Sequence, residues 1–200
     1  MGYLTNLPKN TIIMPMGLPA CGKSTFFEYL QKRYGDNITR ISFDNALEAL
    51  SVKRNCSYGE AFESMRSDSL SKQFVDAHYE GQWRAAQKNG GLIFIDQTNL
   101  AKKARARLMN KLQGFHKIGI YFDITADESK RRCHERFLKT GKKIEGYVVD
   151  RMAATLRDNM PQTNEFDLLL VMDTKQHLSP YAEIAKVVKS AARGRSPHPK

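Results

Sequence analysis

Gly17-Leu18-Pro19-Ala20-Cys21-Gly22-Lys23-Ser24, followed by Thr25, matches G-x-x-x-x-G-K-[ST] at every fixed position. Each fixed residue has a physical task. The glycines let the loop curl so that successive backbone N–H groups point at phosphate oxygens. A helix opening after Gly22 adds the positive end of its dipole to the same anion. Lys23 neutralises the outer phosphates, and the Ser24 hydroxyl is placed to ligate magnesium. The pattern therefore implies a nucleoside triphosphate with Mg2+. No N-K-x-D guanine motif accompanies it, so ATP is the expected nucleotide.

A phosphate loop names a ligand class but not a reaction. The reacting groups must lie at the carboxyl ends of the strands, where open α/β sheets bind ligands. Asp44 and Asp96 end two strand-like runs, 38–43 and 92–95. One carboxylate can take the proton of an attacking hydroxyl and the other can hold magnesium or its water. Asp44 is expected as the base, and Asp96 with Ser24 as the metal ligands. The plainer alternative for Asp44 is a cap on the following helix. Arg131, Arg132 and Arg136 share one helical segment, and Arg132 and Arg136 lie four apart on one face of it. The segment ends at Thr140-Gly141-Lys142-Lys143, so it reads as a lid bringing an arginine to the transferring phosphoryl group. Arg136 is the first candidate and Arg132 the second, against the alternative of a solvated basic face.

Strands are expected over 11–16, 38–43, 92–95, 118–122 and 166–172, because each is a short, nearly continuous apolar run. Helical spacing fills the intervals: 24–34, 46–88 with a break near 55–59, 101–113, 127–138, 147–159 and 180–192. This alternation gives an α/β P-loop NTPase fold of three layers, a five-stranded parallel sheet with helices on both faces and an arginine-bearing lid. One domain over 1–192 and a basic tail over 193–200 are expected. The aromatics of the interrupted segment, Tyr58, Tyr79 and Trp83 among them, are candidates for core packing or for stacking on a base.

Hydrophobic residues make up 41% of the 200 and charged ones 26%, a globular composition that excludes disorder as the default. No apolar run approaches the ~18 residues of a membrane helix, and the first residues lack the layout of a signal peptide. Asn6 stands where a myristoylation motif needs a hydroxyl. Cys21, Cys56 and Cys133 form no CxxC or Cys/His pattern, which points to reduced thiols in a soluble, cytoplasmic protein. The 32 Lys and Arg against 21 Asp and Glu leave +11, a balance that favours a polyanionic partner, nucleic acid first. Lys102, Lys103, Arg105 and Arg107 on the helix after the third strand, and Arg193, Arg195 and Lys200 in the tail, are candidates for tracking phosphates.

With these parts assembled, the chain resembles the small bacteriophage polynucleotide 5′-kinase family from about Ile12 to Leu170. The resemblance rests on Gly17 to Thr25, Asp44, Ile95-Asp96-Gln97-Thr98-Asn99-Leu100, and the Arg132 to Arg136 segment with its Lys-Gly lid. It implies ATP and Mg2+, a strand-end aspartate as general base toward a 5′-hydroxyl of DNA or RNA, and a lid arginine on the nucleotide phosphates. Those roles fall on Asp44, on Lys23 and Ser24, and on Arg136. It also implies a phage-encoded protein in the host cytoplasm. No counterpart of the phosphatase domain of some members is expected in a chain of this length. In that family an arginine three positions after the aspartate holds the phosphate beside the acceptor. Here Asn45, Ala46 and Leu47 follow Asp44. That departure leaves two other acceptors open, the hydroxymethyl group of 5-hydroxymethyluracil in DNA and a nucleoside or other small molecule. A nucleotide-dependent binding switch is the alternative from outside enzymology.

Overall fold

The computed structural model describes residues 7–173 and 186–188. The five expected parallel strands are β1 (Thr11–Met16), β2 (Ile38–Ser42), β3 (Leu92–Asp96), β4 (His116–Asp123) and β5 (Leu168–Asp173). A sixth, β6 (Lys186–Val188), extends the sheet, giving the order β2-β3-β1-β4-β5-β6. β6 runs antiparallel to β5, with Leu170 opposite Val187. The helix expected over 180–192 is thus replaced by strand at 186–188. The β-branched pair Val187-Val188 favours extended backbone, and β5 offers it an open ladder. The rest of that segment and the tail over 193–200 lie outside the described residues.

Helices α1 (Lys23–Tyr34), α2 (Phe43–Arg54), α3 (Tyr58–Ser67), α4 (Ser69–Asn89), α5 (Lys102–Asn110), α6 (Ala126–Thr140) and α7 (Gly146–Asp158) fill the intervals. The 46–88 interval breaks twice, at the left-handed Asn55 and at Asp68, whose carboxylate caps α4. Every residue of β1 is buried, which explains its unalternating apolar run. One face of the sheet packs on α1, α6 and α7 through Phe26, Leu30, Cys133, Val149 and Leu156. The other packs on α4 and α5 through Trp83, Ala86, Leu108 and Met109. A separate cluster of Ala46, Leu47, Leu50, Ala61 and Val75 joins α2, α3 and α4 to one another. Among the described residues no helix is long and apolar enough to cross a membrane.

Trp83 is 1% exposed and serves the core, which removes it as a stacking platform. Arg105 also leaves the set of phosphate-tracking residues. It is fully buried, its guanidinium takes both carboxylate oxygens of Glu165 at 2.8 and 2.9 Å, and it donates to the carbonyls of Leu100 (2.6 Å) and Asn159 (2.9 Å). It clamps the loop after β3 to the loop after α7. Removing one partner of a buried pair strands the other, at ~3 to 5 kcal/mol. Arg105→Met should therefore lower unfolding free energy by about that amount in urea titration, and a loss below about 1 kcal/mol would refute the clamp.

Candidate active site

The site is built on three neighbouring strand ends. The phosphate loop follows β1, Asp96 ends β3, and Asp44 lies two residues beyond β2, at the edge of the sheet. The β1–β3 ladder stops at the pair Ile13 and Phe94. Pro15, which has no N–H to give a ladder, sits past that point. Its carbonyl accepts instead from Asn99 Nδ2 at 2.7 Å, and the same amide reaches the carbonyls of Ile95 (3.0 Å) and Gln97 (3.2 Å). Thr98 O accepts the N–H of Gly17 at 3.1 Å, so the loop after β3 braces the start of the phosphate loop.

Within that loop Gly17 admits no side chain: a Cβ there would lie 2.9 Å from Cys21 Sγ and 3.1 Å from Phe122 O. Gly22 takes φ +105°, a conformation L side chains rarely adopt, and is the N-cap of α1. Lys23 is buried, and Nζ donates to the carbonyls of Gly17 (3.0 Å) and Leu18 (2.8 Å) beside Cys21 Sγ at 3.2 Å. Among the described residues it forms no ion pair. Ser24 and Thr25, in the first turn of α1, face the cavity.

That cavity, about 340 Å³, has the phosphate loop on one side and Arg132, Arg136, Lys139 and Thr140 of α6 on the other. Ser129 Oγ, buried, donates to Pro19 O at 2.7 Å and pins α6 to the loop. Arg132 Nε donates to Glu128 at 2.7 Å, and Arg131 turns away to Glu128 and Glu135. Arg136 differs from both. Its Nε and Nη2 are buried and have no hydrogen-bond partner among the described residues. Two orphaned guanidinium donors beside a glycine cradle and an unpaired buried ammonium suit the oxygens of a polyphosphate. The residues present therefore fit a nucleoside triphosphate.

Asp44 is not the helix cap, because Ser42 Oγ accepts the N–H of Asn45 and fills that place. Its carboxylate accepts from the Tyr58 hydroxyl at 2.9 Å and pairs with Lys142. Lys142 comes from the break between α6 and α7, where the lid was expected, and its Nζ lies 4.1 Å from the centre of the Tyr58 ring. Burial pushes the Asp44 carboxyl up, but the bond and charge of Lys142, the Tyr58 hydroxyl and the Arg136 charge outweigh it and hold it below its ordinary value. Burial and the Asp44 charge raise Tyr58, which stays a neutral donor. Asp96 accepts from Arg40 Nε at 2.9 Å and from Nη2 on the same oxygen, and the guanidinium lies 4.7 Å from the Phe27 ring. A magnesium water would thus share this carboxylate with an arginine.

Tyr58, Lys142, Arg40 and Asn99 received no role at Asp44, Asp96 or the loop in the reading of the sequence. Arg40 carried one signal, a charge inside a short strand. The others meet their partners only through tertiary packing.

A family model described as an AAA domain, AAA_33, matches residues 12–158. The chain belongs to this P-loop kinase family. The AAA_33 fold recurs in a chain of the Pnkp1/Rnl/Hen1 RNA repair complex at 20% identity and TM-score 0.58, over 79% of this chain and 47% of that one. It recurs in a chain of the PezAT chromosomal toxin-antitoxin system of Streptococcus pneumoniae at 20% identity and TM-score 0.57, over 84% of this chain and 70% of that one. The present chain thus spans about half the length of the RNA repair chain. P-loop kinases generally use ATP with magnesium.

Two outcomes follow for this AAA_33 chain. A group with a depressed folded pKa adds stability above its unfolded value, ~3.9 for Asp, and loses it as pH falls through the folded value. Carboxyl carbon NMR should show Asp44 titrating below the ordinary range, and Lys142→Ala should move it upward, because burial is then less opposed. An unmoved Asp44 would exclude the pairing in solution. Arg136→Met should leave thermal stability unchanged or raised, since a buried unpaired donor costs ~1 to 3 kcal/mol. The same variant should cut phosphoryl transfer by ~10³ or more, and a stability loss with transfer intact would make Arg136 a packing residue.

Proposed function

We propose that this protein is an ATP-dependent kinase that transfers the γ-phosphate to a hydroxyl group of a nucleic acid. The reading is carried by one observation. A carboxylate held ionised, Asp44, stands at the sheet edge beyond the phosphate loop, and Arg136, with two unpaired buried donors, contributes its charge both there and at the cavity. That is the layout of in-line transfer from a bound triphosphate to an approaching hydroxyl.

Gly17, Leu18, Pro19, Ala20, Cys21 and Gly22 would hold the phosphates through backbone N–H groups, with Lys23, Ser24 and Thr25 completing the cradle. Ser24 and the Asp96 carboxylate would hold magnesium, directly or through water. Bound there, the metal neutralises charge on the β- and γ-phosphates. Asp44 accepts the proton of the attacking hydroxyl, and Tyr58 fixes its carboxylate by donating to Oδ1. Arg136, with Arg132 behind it, neutralises charge on the transferring group. The +11 balance supports a polyanionic acceptor. The fold shared with a chain of an RNA repair complex is compatible with it.

The acceptor within nucleic acid has two readings, a 5′-hydroxyl end and the hydroxymethyl group of 5-hydroxymethyluracil. Leu47, the residue three after Asp44, is 1% exposed and packs inward among α2, α3 and α4. Helix α2 therefore brings no cation to a phosphate beside the acceptor. Transfer of γ-labelled phosphate to 5′-hydroxyl DNA and RNA, to duplex DNA with the modified base, and to free nucleosides separates the readings. Asp44→Asn should lower the rate on the true acceptor by ~10² to 10⁴ with ATP affinity kept. Label on nucleosides alone would exclude nucleic acid. Full activity of the variant would exclude Asp44 as base.

A further inference from the structure

The cations of the lid divide into two groups. Arg132, Arg136 and Lys139 line the donor cavity with the phosphate loop, and Lys142 does not. Lys142 reaches the other way, onto the Asp44 carboxylate and over the Tyr58 ring. Its side chain remains 26% exposed. An ammonium has three rotatable donors, and a carboxylate occupies one of them. With Leu47 buried, α2 supplies no positive charge there, and the loop between α6 and α7 does.

We propose that Lys142 is the acceptor-reading residue of this kinase. It recognises an anionic group, the backbone phosphate next to the acceptor hydroxyl, while it stays on Asp44. This rests on Asp44 being the base of a nucleic-acid kinase and adds to that reading which group selects the acceptor. The Tyr58 ring supports the ammonium from beneath and holds it in the acceptor crevice. A phosphate bound by Lys142 places its own hydroxyl beside Asp44, so one side chain couples lid position to acceptor identity. A neutral hydroxyl compound lacks that anchor.

The test uses the full chain, ATP as donor, and whichever nucleic acid it phosphorylates. That acceptor is compared with an otherwise identical one whose phosphodiester nearest the acceptor hydroxyl is a neutral methylphosphonate. For the wild type, neutralising the linkage should raise acceptor KM by about 10- to 100-fold, the range for a lost hydrogen bond to a charged group. Lys142→Ala should raise KM for the charged acceptor by a similar factor and bring the ratio between the two acceptors near one. KM for ATP should stay where it was. Lys142→Arg should keep the discrimination. If Lys142→Ala weakens activity but preserves the wild-type ratio, or raises KM for ATP instead, Lys142 does not read the acceptor and the inference is overturned by itself. If the wild type labels no nucleic acid, the kinase reading fails first and this inference falls with it.

Discussion

The end of the β1–β3 ladder at Ile13 is the constraint on which the site depends. Pro15 gives no N–H to such a ladder, and the Asn99 amide takes over, bonding carbonyls on both strands and in the loop after β3. The arrangement costs something locally. Asn99 lies at φ +51°, and its buried Oδ1 has no partner among the described residues. Three strand ends thereby carry the glycine loop, the Asp96 carboxylate and Asp44 in order toward the sheet edge.

Charge follows the same geometry. Lys23 is buried on carbonyl oxygens, and Arg136 keeps two buried donors unpaired. Placing cations this way opposes folding, because desolvation of a charge is repaid only by a good partner. The acids are treated the other way: Asp96 has Arg40, and Asp44 has Lys142 and Tyr58. On the donor side positive charge therefore waits for an anion, while on the acceptor side negative charge is already matched. Such asymmetry directs a polyphosphate to one end of the crevice and keeps it from the other.

How much of this was legible in the sequence depended on whether a residue's role was local. Apolar runs located five strands, and the loop motif located the donor site, because backbone chemistry and burial act over a few neighbouring positions. The lid break at Thr140 to Lys143 was legible for the same reason. Arg105 was misread: on a basic helix it resembled a phosphate contact, and only packing against Glu165 shows it to be a clamp. The strand at Lys186–Val188 was read as helix because the edge it completes lies on β5. Tyr58 and Lys142 are 14 and 98 residues from the aspartate they serve, so no spacing rule joins them to it.

The donor and acceptor halves also differ in what holds them. The phosphate loop and α6 are packed on the sheet through one large cluster that includes Leu18, Cys21, Phe122 and Cys133. The elements around Asp44 have their own small core, Ala46, Leu47, Leu50, Ala61 and Val75, with Tyr79 the partly buried residue packed on both that core and the sheet. Tyr79 meets Phe43 and Trp83 edge-on and accepts from Gln97, which lies in the loop after β3. In this architecture the glycine loop and Asp96 are held by the sheet and its loops, and the surroundings of Asp44 by α2, α3 and the break between α6 and α7. The glycine loop is therefore the part that a motif can identify, and the surroundings of Asp44 the part that only packing reveals.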